Sequence, residues 1–212
     1  ESLQAQVELA IHSHRSFFSK NPAGFYLPHL AWFPEAGELL RSYGLSYTVV
    51  ESHGLLHAKP CPTKGTMAPV QTAGGLTVFG RDYQATRQIF DSEEGFIAHP
   101  AFRDFNWDAG YELPLEALVP LLEIENIRGS SSFKYRAKGT KGADAQIYSV
   151  DTALQEIDGQ VDAFLNSCLA QMAAYEAELD TVSNIFCAFD AELFGHRWYE
   201  GIHFLERVFR KV

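Results

Sequence analysis

Leu3, Val7, Ile11, His14 and Phe18 recur at steps of three and four. That spacing lines one apolar stripe along a helix over residues 2–19. Asn21-Pro22 stops it, because proline disfavours helical backbone in the residue before it. GFYLP (24–28) is a short apolar run and reads as a strand. Pro34–Tyr43 carries proline at a helix start and has Gly44 just past its end. Further strand-like runs begin at about Ser46, Leu76, Phe133 and Asn184. The stretch 82–95 reads as helical, and Thr152-x-x-Gln155 resembles a capping box. After it Leu154, Ile157, Val161, Phe164, Cys168, Met172, Tyr175 and Leu179 form a single stripe on one long helix, weakened locally by Gly159. Residues 196–212 read as the last helix. Strands alternating with helices predict an α/β fold with mainly parallel strands and outer helices. Residues 55–75, rich in Pro, Gly, Thr and Lys, are expected as a long loop, and 80–148 as an irregular, partly helical insertion.

Composition narrows the partners. The 212 residues carry a formal charge of −10, which argues against a phosphate-rich partner such as nucleic acid. Aromatic residues make up 13%, and flat neutral ligands and sugar rings favour aromatic walls. Cys61, Cys168 and Cys187 are odd in number and widely spaced, which points away from disulfides and toward a reducing compartment. No apolar run is long enough to span a bilayer, so no membrane partner is expected. Glu192 and His196 are four apart, but the further ligands a metal needs are not evident.

Asp190 closes the apolar run SNIFCAFD (183–190) and precedes a loop to the last helix. Catalytic side chains of parallel barrels sit at such strand ends, but so do helix-capping aspartates. Spacing alone leaves both readings open.

The blocks around these residues carry a resemblance. FDAELFGHRWYEG (189–201) is similar to a signature of glycoside hydrolase family 57, in which a strand ends in Asp followed by Glu-Leu-Phe-Gly-His and a Trp. GFYLPHLAWFPEAG (24–37) and YGLSYTVVESHGL (43–55) resemble the family's Leu-Pro-Glu segment and its following strand and turn. Residues 78–96 and 99–114 resemble the family's branching enzymes.

The resemblance implies that residues 1–212 are a single region of a distorted (β/α)7 catalytic barrel, a C-terminal part of it, its edges met by an N-terminal half or another copy. It implies cytoplasmic action on α-1,4-glucans, branching-type transfer by a retaining mechanism, and no metal or organic cofactor. Asp190 takes the acid/base role. The nucleophile should be the glutamate after Leu-Pro, where this chain has His29. Activity is therefore in question, and the alternative is an inactive glucan-binding or regulatory homologue. Trp32, His53, Trp107, Asp108, His196 and Trp198 are the substrate-binding candidates. At least two of the three tryptophans are expected as sugar-stacking platforms.

Overall fold

The computed structural model describes residues 2–121, 127–139, 146–180 and 182–212. The chain divides into two compact units. The first runs to Thr86 and takes in Cys168–Ala188, and the second comprises Arg87–Ser167 and Phe189–Val212.

The first unit holds α1 (Ser2–Phe18), β1 (Gly24–Phe25), α2 (Pro34–Ser42), β2 (Tyr47–Val50), α3 (Ser52–Leu56), β3 (Val70–Gln71) and β4 (Thr77–Gly80). Its sheet has the order β1-β2-β4-β3. β1 pairs with β2 and β2 with β4 in parallel, with Thr48 opposite both Phe25 and Val78. The stripe of α1 buries Val7 and Ile11 against Leu40 of α2 and against Leu45 and Leu76, which lead into the strands. Each such aliphatic side chain contributes about 2 kcal/mol by leaving water. Successive strand residues face opposite sides. Val49 accordingly packs with Leu30, Ala188 and Phe186, while Val50 packs with Leu55, Val78, Val70 and Trp32.

Two expectations for the first unit change. The loop at 55–75 is partly ordered, since α3 extends to Leu56 and β3 pairs antiparallel with β4. A turn closes that hairpin: Gly75 N–H donates to the Thr72 carbonyl at 2.9 Å, with Gly75 at φ 79°. The expected last strand, 183–190, does not form a strand; among the described residues it meets the sheet through one parallel bridge, Arg81 to Phe186. Apolar runs report burial. They do not report whether a neighbour offers a ladder of free backbone groups.

The second unit takes up the chain near the end of α4 (Tyr83–Phe90), then holds α5 (Ala109–Glu112), α6 (Leu115–Leu118), the N-terminal part of α7 (Val150–Leu179) and α8 (Gly201–Lys211). α7 buries Ala153, Ile157, Val161 and Phe164. Phe164 meets Phe204 of α8 edge-on, at 5.5 Å between ring centroids. The helix starts at Val150, and the Thr152 amide donates to Ser149 Oγ at 3.4 Å, so Ser149 rather than Thr152 caps it. α8 starts at Gly201 rather than 196, because Gly195 at φ 79° turns the chain first. No strand forms from Phe133. That side chain is 67% exposed, and among the described residues the stretch makes isolated bridges, Arg103–Ala137 and Arg136–Ile147, in place of a strand ladder. Its glycine-rich turn lies mostly outside the described residues.

Candidate active site

In the first unit the candidates sit just beyond the parallel strands. β1 runs into a single 3-10 turn, Pro28–Leu30. Leu27 and Leu30 are buried and pin the turn, and the Leu30 amide donates to the Leu27 carbonyl at 2.9 Å. His29 between them is exposed, in the left-handed region at φ 53°. Histidine visits that region more readily than most residues. The sequence thus presents an imidazole to solvent at the C-terminal end of a parallel strand. His53 is also exposed, on α3. Trp32 is half-buried, its ring lying over Gly37, where an added Cβ would come within 2.6 Å of it. It lines a cavity of about 540 Å³ with Val50, Leu55, Val70, Gln71 and Val78. That is the side of the sheet away from Val49 and Ala188.

Between these positions lies a pair that spacing did not flag. Glu51 follows β2 and Arg81 follows β4, and the register brings them together. Arg81 Nε donates to Glu51 Oε2 at 3.2 Å and Nη2 donates to Oε1. The third arm, Nη1, donates to the Ala188 carbonyl at 3.4 Å. Asp82 next to it is buried, accepting from the Ala85 amide at 2.7 Å and from Gln171 Nε2 at 2.8 Å. Burial pushes the nearby Cys168 and Cys187 thiols up, to about 11 and about 12, so both stay protonated at neutral pH.

In the second unit Asp190 opens a 3-10 turn, Ala191–Leu193. Its carbonyl accepts from the Leu193 amide at 3.1 Å, but its side chain makes no capping bond and the residue is exposed. The capping explanation therefore fails. The next turn sends neighbouring side chains opposite ways. His196 is exposed, edge-on to Phe105 at 5.0 Å. Trp198 is fully buried against Phe102, Phe194 and Phe204. Trp198 is thus a core residue and has no face to offer a sugar ring.

Trp107 and Asp108 are likewise largely buried. Trp107 meets Tyr135 at 4.5 Å, with the Arg136 guanidinium 5.0 Å over its ring. Asp108 accepts from the amides of Gly110, Ser131 and Ser132 and from the hydroxyls of Ser130 and Ser131, at 2.7–3.0 Å. Burial raises its pKa, but these donors outweigh it and hold the carboxyl well below the usual carboxylate range. Asp108 staples the serine loop, which leaves it little capacity for a sugar hydroxyl. Glu200, not among the sequence candidates, is also buried, accepting from the Arg103 amide at 2.9 Å. Among the described residues no group of three or more His, Cys, Asp and Glu could hold a metal. No described helix is long and apolar enough to cross a membrane.

Comparisons with known proteins give these positions a context. Residues 1–105 match the model of glycosyl hydrolase family 57. A probable 1,4-alpha-glucan branching enzyme of Mycobacterium tuberculosis is 25% identical over 210 residues, covering 98% of this chain and 34% of the relative. The 1,4-alpha-glucan branching enzyme TK1436 of Thermococcus kodakarensis is 23% identical, covering 98% of this chain and 32% of its own length. The chain thus spans about a third of the curated relatives it matches. Among crystal structures, the alpha-amylase AmyC of Thermotoga maritima superposes with a TM-score of 0.86 at 26% identity, covering 100% of this chain and 41% of that one. The branching enzyme of Thermococcus kodakaraensis, in complex with glucose and additives, gives 0.77 at 21% identity, covering 97% and 39%. The expected α/β class, with a mostly parallel sheet and helices, holds, and the fold is that of these enzymes. The family model over its first 105 residues and the relatives aligned over 98% of its length make the chain similar to glycosyl hydrolase family 57.

Proposed function

We propose that this chain recognises α-1,4-glucan and carries the acid/base of a branching-type retaining site, Asp190, but lacks that site's nucleophile. The observation that carries this reading is His29. It occupies the position after Leu27-Pro28 where the family resemblance puts the glutamate, and it is exposed at the end of β1. A retaining enzyme needs a carboxylate there, because the intermediate is a glycosyl ester that forms and breaks readily. An imidazole, when protonated, is no nucleophile and repels the oxocarbenium-like transition state. Asp190 keeps an uncapped, exposed carboxyl suited to proton transfer. The net charge of −10 suits a neutral polysaccharide, and three free cysteines suit the cytoplasm.

The test uses the polypeptide in the longest form its gene encodes. It is incubated with amylose while reducing ends and iodine colour are followed, and binding is read by affinity electrophoresis. The expected result is retarded migration with no new reducing ends and no colour change. Turnover comparable to a working branching enzyme, or no retardation at all, contradicts the reading.

A further inference from the structure

We propose that Arg81, braced by Glu51, is a positioning residue for the segment 183–188 that leads to Asp190. The proposal rests on the reading of Asp190 as the acid. Among the described residues this segment has no strand ladder and one parallel bridge, at Phe186. Phe186 and Ala188 also pack with Leu30 and Val49, and the Ser183 amide and hydroxyl donate to Glu176 Oε1 at 3.0 Å. The Asn184 amide donates to the Met67 carbonyl at 2.9 Å, and the Asp82 amide donates to the Phe186 carbonyl at 2.9 Å. The Arg81 guanidinium adds a polar tie, donating to the Ala188 carbonyl two residues upstream of Asp190 at 3.4 Å.

A guanidinium is a rigid planar fork with five donors. Glu51 occupies Nε and Nη2, which fixes the plane and aims Nη1 at Ala188. Both partners are anchored to the sheet, since the Arg81 amide donates to the carbonyl of Val50, next to Glu51, at 2.8 Å. Their side chains are only 22% and 30% exposed, so solvent screens the pair less than it would a surface pair. Glu51 and Arg81 therefore act together as a latch, setting where the chain leaves the sheet on its way to the acid. Lysine cannot replace this arginine, because a single ammonium cannot hold a bidentate carboxylate and a carbonyl in one plane.

The test compares Arg81→Gln, Arg81→Lys and Glu51→Gln with the unaltered protein, in the longest form its gene encodes. Backbone amide exchange of residues 184–193 should rise about tenfold in Arg81→Gln and Arg81→Lys, as loss of a charged hydrogen bond predicts. Exchange in β2 and β4 should stay unchanged, with the melting temperature within a few degrees. Glu51→Gln should fall between, since it keeps one acceptor. Maltoheptaose affinity should drop in Arg81→Gln, and the double variant Arg81→Gln/Asp190→Asn should bind no worse than Asp190→Asn alone. A merely structural arginine would give additive losses. Unchanged exchange at 184–193, or a rise spread through the whole sheet, overturns the latch. Absence of maltoheptaose binding by the unaltered protein counts against the glucan reading instead, and the exchange result still decides the latch.

Discussion

His29 and Asp108 show how differently two polar side chains can be held. The buried leucines on either side of His29 make its turn and leave its ring in water. Asp108 is the reverse: 3% exposed, with five donors converging on its two oxygens. Replacing it by alanine strands those donors. Asp108→Ala should cost about 2 kcal/mol in a urea melt at pH 7. The pH dependence follows from its depressed pKa. A carboxyl whose folded pKa lies below its unfolded value stabilises fully above the unfolded value, about 4, and loses that stabilisation as pH falls through the folded value. The gap between the two proteins should stay constant from pH 7 to about 5 and shrink only below about 4. A gap that closes already at pH 6 would refute the assignment. Nothing at residue scale in the sequence separates these roles. Trp198 and Trp32 carry the same letter, yet one is fully buried and the other half-exposed over a cavity, because the turn after Asp190 and the face of the sheet decide where each ring goes.

The long helix α7 was the most legible element, because its stripe of apolar positions runs for eight residues at steps of three and four, and burial demands that period. Its cap was misplaced by one turn, since Ser149 and Thr152 have equivalent chemistry and only backbone geometry chooses between them. Gly159 sits in this helix with nothing within 4 Å of where a Cβ would go. Gly159→Ala should therefore stabilise by about 1 kcal/mol, through helix propensity and a less disordered unfolded chain. Ile157, fully buried two residues earlier, should cost about 3 kcal/mol on truncation to alanine. Opposite signs from neighbouring positions in one thermal-melt series are the check. Equal effects would mean the helix is not packed as described. The strand expected at 183–190 was the least legible element. Its apolar letters are those of a strand, but hydrogen-bonded pairing belongs to the neighbour as much as to the run itself. The hairpin of β3 and β4 was missed for the opposite reason, since β3 is only two residues long and too short for any periodicity.

At the scale of the whole molecule, the parallel order of β1, β2 and β4 was readable from alternation. The division into two units was not, because each is assembled from stretches far apart in sequence. The Glu51–Arg81 pair was invisible for a related reason: thirty residues separate its members, and only the register of β2 against β4 joins them. The account as a whole turns on position 29. His29→Glu in the longest form the gene encodes restores the carboxylate that the family's chemistry requires. Assayed on amylose by reducing ends and branch content, the unaltered protein is expected to be silent. His29→Glu is expected to gain turnover that disappears again in His29→Glu/Asp190→Asn. Strong turnover by the unaltered protein that Asp190→Asn abolishes would contradict it.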